Sequence, residues 1–253
     1  MKRVLSDRYF LGRKCIFCDK NQIYRLKDNR IKCKQCNKYY SIQKLRTDMM
    51  VLYYCYLEIS ARKTANELEL NYKTIQDRFM QFRKKIAAYC NQEAKKLNGE
   101  IEIDESYFGG KRKGTRGRGA KNKAIVFGIL ERKGKIYTNI VENVSAETLM
   151  NEIQNKTLKG SVFYTDGWKS YASLHQFGKH NIIEHDKELV DVNHNHINGI
   201  EGFWSFAKER FHKYHGIDKQ NYPFYVKEME FRFNHRNENV YKLLVNICIR
   251  RAV

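Results

Sequence analysis

Past Gly99 the sequence stops repeating like a helix and starts alternating like a strand, and the order of the elements beyond that point leaves few topologies open. Strand-like runs fall at Glu100 to Phe108, Ala124 to Glu131, Lys135 to Glu142, Ser161 to Thr165 and Asn181 to Glu184. A helix from Ala146 to about Lys156, capped by Ser145, comes after the third strand. Helices after Ile197 and around Tyr225 to Asn234 come last. Three successive strands predict an antiparallel meander, and the later alternation with helices adds parallel strands, giving an α/β mixed sheet.

Two smaller modules precede this region. Cys15-x-x-Cys18 and Cys33-x-x-Cys36 are separated by 14 residues, one short of the usual range for a four-cysteine zinc ribbon but otherwise its pattern. Each pair makes a tight knuckle whose two thiolates face one ion. The runs Ile23 to Leu26, Arg30 to Lys32 and Tyr39 to Ile42 suit a small antiparallel sheet. So few residues bury too little apolar surface to fold without the metal.

From Thr47 to Asn98 there is neither Gly nor Pro, and Met50, Val51, Tyr54, Tyr56, Leu57 and Ile59 recur at helical spacing. Within this stretch Ala61 to Leu68 and Thr74 to Phe79 flank Leu70-Asn71-Tyr72, the outline of a helix-turn-helix. Ala65 would allow close crossing of the two helices, and Lys73 would bring a positive charge to DNA from the second helix's first turn. The expected division is therefore a zinc ribbon over 1–46, a helix-turn-helix-like DNA-binding region over 47–98 and a catalytic domain over 99–253. Cys55, Cys90 and Cys248 lie in partly apolar helical settings and read as reduced core residues.

Lys and Arg number 48 against 28 Asp and Glu, a net charge of +20, which favours a polyanionic partner through counterion release. No run approaches the ~18 apolar residues of a membrane span. Met1-Lys2-Arg3-Val4 leads into Asp7 and Arg8 without an apolar signal core. The expectation is a cytoplasmic, nucleoid-associated protein.

Three acids stand where metal-dependent phosphoryl chemistry needs them. Asp104 closes the alternating run from Glu100, Asp166 comes directly after the apolar Val162 to Thr165, and Glu201 opens a helix-like segment 35 positions later. Two carboxylates at strand ends and one on a helix can converge on two Mg2+ or Mn2+ ions, the arrangement that clamps the attacking and leaving oxygens of a phosphodiester. Glu102 shares a face with Asp104 and Glu105 adjoins it, so the alternation alone does not choose among them. Glu184 and Asp191 rival Glu201. Asn193-His194-Asn195-His196 reads as a loop near the site, because Mg2+ prefers oxygen ligands to imidazole. Lys208, two helical turns beyond Glu201, shares its face, with Trp204 near it.

Between the first two strands, Lys111 to Lys123 carries seven basic residues and no acid, among them Arg112, Arg116, Arg118 and Lys121. Its glycines let such an arm follow a groove while each cation neutralises a phosphate.

The segments Ile103-Asp104-Glu105-Ser106-Tyr107-Phe108-Gly109-Gly110, Tyr164-Thr165-Asp166-Gly167-Trp168-Lys169-Ser170-Tyr171 and Asn198-Gly199-Ile200-Glu201-Gly202-Phe203-Trp204-Ser205-Phe206-Ala207-Lys208 resemble the three motifs of bacterial DDE transposases of insertion-sequence family fifteen-ninety-five. With the cysteine ribbon, the resemblance covers nearly the whole chain. It implies an RNase H-like catalytic domain in which Asp104, Asp166 and Glu201 ligate the metals and Lys208 supports DNA near the scissile phosphate. The implied activity is binding of the element's terminal inverted repeats, cleavage there and strand transfer into double-stranded target DNA, by a dimer or larger assembly on the DNA. A zinc-ribbon and helix-turn-helix regulator with an inactive nuclease-like domain is the alternative from another class, and a nuclease that cuts without joining is a third.

Overall fold

The computed structural model describes residues 13–109, 123–167, 169–183, 196–214 and 216–250. Contacts divide the chain into two units, 1–89 with 235–253 and 90–234. Residues 235–253, counted with the catalytic domain on sequence grounds, thus cluster with the N-terminal unit.

In the first unit, β1 (Ile23–Arg25), β2 (Arg30–Cys33) and β3 (Tyr39–Ser41) form an antiparallel sheet in that order. Ser41 ends the sheet and caps α1 (Ile42–Tyr56), accepting the amide N–H of Lys44. The helix therefore starts five residues earlier than its pattern suggested. Its buried stripe is Leu45, Met49, Leu52 and Cys55 with Val51, while Met50 and Leu57 are exposed. Spacings of four, three and three define that stripe better than a run of apolar residues does. Helix α2 (Ala61–Glu67) is capped by Ser60, and α3 (Tyr72–Glu93) begins after Asn71, whose side chain accepts the Lys73 N–H at 2.8 Å. The short α7 (Val240–Val245) brings Tyr241 edge-on against Tyr53, with ring centroids 5.4 Å apart. Cys55, Cys90 and Cys248 are free, buried thiols.

The second unit is built on β4 (Glu100–Phe108), β5 (Ala124–Glu131), β6 (Ile136–Val141), β7 (Val162–Asp166) and β8 (Lys179–Ile183). Their order across the sheet is β6-β5-β4-β7-β8, antiparallel through the first three and parallel from β4 to β8. This is the mixed sheet expected of an RNase H-like domain. Strand alternation splits its core in two. Ile101, Ile103, Phe127, Ile129 and Phe163 pack on one face with Leu149 and Ile153 of α4 (Ala146–Lys156) and with Tyr171 and Leu174 of a 3-10 helix, Lys169–Gln176. The opposite face carries Val126, Leu130, Ile136 and Tyr164 under α5 (Asn198–Lys213) and α6 (Tyr222–Asn234).

Edge strand β6 would offer unpaired backbone groups. Helix α6 takes them instead: Glu230 accepts the Thr138 amide at 2.8 Å, and the Asn234 side chain accepts the Ile136 N–H and donates to the Ile136 carbonyl. Among the described residues, no helix is long and apolar enough to cross a membrane.

Candidate active site and zinc centre

Asp104 is the fifth of nine residues in β4, not its last, so its place near a strand end does not hold. Antiparallel pairing with β5 carries the strand on to Phe108, whereas pairing with parallel β7 stops at Glu102. Asp104 therefore lies just beyond the part of β4 that pairs with β7. Glu100, Ile101 and Glu102 face Val162, Phe163 and Tyr164; Asp104 lies two residues beyond that pairing on β4, and Asp166, the last residue of β7, two residues beyond it on the neighbouring strand. In-register residues of parallel strands point to one face, and neighbouring strands lie about 4.8 Å apart. The two carboxylates feel each other: burial first, then the charge of Glu105, and further the charge of Asp166 push Asp104 up to about 7, against a hydrogen bond from Trp204 that lowers it.

The helix over this face is set by two contacts on β4. Trp204 Nε1 donates to Asp104 Oδ2 at 2.9 Å. Directly across from Asp104 on β5 is Gly128, where a Cβ would come within 2.7 Å of the Trp204 ring. The missing side chain is the seat of the indole. One turn earlier, α5 has no side-chain cap from its own N-cap residue, Ile197. Glu102 supplies it, accepting the Ile200 amide at 2.8 Å, and a Cβ on Gly199 would lie 2.8 Å from that carboxylate. Glu102, 1% exposed, also accepts from Arg132 Nε at 3.0 Å. The Arg132 guanidinium lies 3.7 Å from the centre of the Tyr164 ring, and Tyr164 donates to Glu100.

These contacts separate the acids that alternation left open. Glu102 is spent on docking the helix. Glu105 points to the opposite face, accepting the Tyr171 hydroxyl at 2.9 Å. Asp104 and Asp166 remain, near enough for the charge of Asp166 to act on Asp104. Glu201 sits exposed in the first turn of α5, between the Glu102 and Trp204 anchors, and Lys208 is exposed two turns on. As a set the three acids do not close to within 4.8 Å; among the described residues only the four cysteines do. Glu184, Asp191 and Asn193 to Asn195 lie outside the described residues, as do Trp168 and the arm with Arg112, Arg116, Arg118 and Lys121. His196 is described, half-buried, with Nδ1 3.6 Å from Glu102.

Sequence reasoning passed over Gly128, Gly199 and Arg132. A glycine inside an otherwise apolar strand was the available signal for Gly128, since it marks close approach of another element.

The sulfurs of Cys15 and Cys36 are 3.6 Å apart, as are those of Cys18 and Cys33. Four thiolates about 2.3 Å from a tetrahedral ion would stand about 3.8 Å apart, so the cluster fits zinc without rearrangement. None is in a disulfide. In the helix-turn-helix region Thr64, Ala65, Ile75 and Phe79 are buried, while Tyr72, Lys73 and Thr74 are exposed at the start of α3.

Residues 96–234 match the family described as the ISXO2-like transposase domain. An uncharacterized transposase-like protein of Haemophilus influenzae is 42% identical over 104 residues, 40% of this chain and 83% of that protein. An uncharacterized protein in transposable element ISH50 of Halobacterium salinarum is 25% identical over 232 residues, 79% of this chain and 76% of that one. Solved structures with similarity include the catalytic core domain of HTLV-2 integrase, at 13% identity and TM-score 0.35 over 55% of this chain and 87% of that one. The catalytic domain of Mos1 mariner transposase is similar at 11% identity and TM-score 0.37 over 72% and 91%. With more than half of its length matched by the family, the chain belongs to the ISXO2-like transposase domain family.

Proposed function

We propose that this transposase cuts the terminal inverted repeats of its own element and joins the freed ends to target DNA, with Asp104, Asp166 and Glu201 as the metal-binding carboxylates. The observation that carries the reading is that Asp104 on β4 and Asp166 at the end of β7 lie close enough for the charge of Asp166 to raise Asp104, near a helix anchored on Asp104 through Trp204 whose first turn bears Glu201. The donor set suits a hard divalent ion: burial and the neighbouring charges of Glu105 and Asp166, which together raise Asp104 to about 7, are offset by a cation, and oxygen ligands favour Mg2+ or Mn2+. When bound, a pair of such ions would neutralise the charge that develops on the reacting phosphate and lower the proton affinity of the attacking oxygen.

The chain's own residues do the rest by positioning. Trp204 holds one Asp104 oxygen, Glu102 fixes the turn that carries Glu201, and Lys208 meets the DNA backbone from the same helical face. Cleavage is attack of water on the phosphodiester with departure of a 3′-oxygen. Joining is attack of that 3′-hydroxyl on a target phosphodiester with departure of the target's own 3′-oxygen. Each step exchanges one P–O bond for another, so no covalent link to the protein is needed. Lys73 and the exposed start of α3, together with the basic arm, engage duplex DNA, and two ends held together require at least a dimer on the DNA.

The test is a strand-transfer assay with end DNA from the flanks of the gene and Mg2+ or Mn2+. Asp104→Asn, Asp166→Asn and Glu201→Gln should each abolish cleavage and joining while end binding persists. Near-normal joining by Glu201→Gln would move the third ligand to Glu184 or Asp191. Activity in all three variants would remove the carboxylate mechanism.

A further inference from the structure

The ribbon sheet has a second face that metal binding does not use. Ile31, Cys33 and Tyr40 turn inward and are buried. The alternate residues of β2, Arg30 and Lys32, point the other way, and Lys34 continues the series, its amide donating to the Gln22 carbonyl. Register places Lys32 opposite Tyr24 on one side and Tyr39 on the other. The result is a row, Tyr24-Lys32-Tyr39, running across all three strands.

Both tyrosines are exposed, at 39% and 53%. The Arg30 guanidinium is 5.3 Å and the Lys32 ammonium 5.8 Å from the centre of the Tyr39 ring, and Lys34 is 5.8 Å from that of Tyr24. The acid beside this row is Asp28, which pairs with Arg30 at 2.7 Å and keeps its guanidinium beside Tyr39. Over residues 13–41 there are nine Lys and Arg against two Asp. With strands about 4.8 Å apart, the two rings stand roughly 10 Å from one another with a cation between them.

A face meant for a protein core would carry an apolar centre depleted of charge. This one alternates aromatic rings with cations, the composition that stacks bases and neutralises phosphates along a single strand. A duplex offers phosphates to such a surface but keeps the faces of its bases stacked away.

We propose that this face binds unpaired DNA, with Tyr24 and Tyr39 each stacking a base while Arg30, Lys32 and Lys34 neutralise the intervening backbone. Binding here requires no chemistry at Asp104, so the test is independent of the catalytic reading. The full-length, zinc-loaded chain is titrated with a single-stranded oligonucleotide of about 12 nucleotides and with its duplex at one salt concentration. The same strand carrying 5-iodouracil is photo-cross-linked and the attachment sites are mapped. The expected result is cross-linking at Tyr24 or Tyr39. Joint substitution Tyr24→Ala and Tyr39→Ala should weaken the single strand about 10-fold or more, with less than about 2-fold effect on the duplex. Joint substitution by Phe keeps the rings and should bind as the parent does. Equal weakening of both DNAs, a Phe variant as weak as the Ala variant, or cross-links confined to other residues would each overturn the proposal. Should the Ala variant lose its zinc, the Phe variant and the cross-link map decide.

Discussion

Asp104, Trp204 and Gly128 act as one unit. The indole reaches the carboxylate because the residue opposite it on the next strand has no side chain, and the two atoms meet at 2.9 Å. A hydrogen bond to a charged group contributes about 1.5–3 kcal/mol. Trp204→Phe removes the donor together with part of the ring that packs over Gly128. It should lower cleavage roughly 10- to 100-fold and cost about 1–3 kcal/mol of stability for the smaller buried ring, and Mn2+ binding measured by calorimetry should weaken as Asp104 loses its fixed orientation. Gly128→Ala acts through shape. Its methyl would meet a ring that is itself buried, so α5 must shift, at a cost of about 1–3 kcal/mol in denaturant titrations, and activity should fall with it. A Trp204→Phe enzyme that cuts at the parent rate would leave the hydrogen bond without a part in positioning.

At the scale of elements, the anchoring of α5 separates two acids that sequence could not. Glu102 and Asp104 sit two apart on one strand face, yet the first is a helix cap paired with Arg132 and the second a member of an acidic pair. Glu102→Ala would leave Arg132 short of one partner and the Ile200 amide unsatisfied, a loss of about 3 kcal/mol. Asp104→Asn relieves burial of a charge and repulsion from Glu105 and should leave stability unchanged or raised. Chemical denaturation of both variants without metal checks this contrast, and equal stability losses would reverse the assignment. The succession of elements along the chain was legible because each announces itself locally: Glu100–Phe108, Ala124–Glu131 and Ala146–Lys156 fall where periodicity put them. The role of Glu102 was not legible, since it depends on a helix 98 residues away arriving at that spot. Likewise the buried stripe of α1 could not be separated from Met50 and Leu57 without the elements that cover it. The ribbon belongs to the readable part, since knuckle spacing is itself a geometric instruction. Its prediction is equally local: elemental analysis should find about one zinc per chain, and chelation should abolish the protection of Ile31 and Tyr40 amides from hydrogen exchange. Protection that survives removal of the metal would mean the sheet holds without it.

For the whole molecule, the governing quantity is a charge of +20 on 253 residues. Each phosphate neutralised on duplex DNA contributes about −0.9 to the slope of log affinity against log salt. Much of the unbalanced charge is concentrated, with seven cations and no acid from Lys111 to Lys123 in the sequence between β4, which carries Asp104, and β5. Cations next in sequence to the strand that carries Asp104 would meet the DNA backbone rather than the bases, and such contacts carry no sequence information. Replacing Arg116, Arg118 and Lys121 with Gln should therefore weaken end DNA and unrelated duplex by the same factor. It should also flatten the salt slope by up to about one unit per lost contact. Lys73→Gln should behave differently, because a side chain at the exposed start of α3 would contact DNA through one docked helix and its loss would fall more heavily on the element's own ends. Measuring both variants on both DNAs across a salt series separates general attraction from recognition. If the arm variant keeps the parent's slope, the arm is solvated rather than bound. Should Lys73→Gln lose affinity for the two DNAs equally, α3 adds attraction without reading sequence.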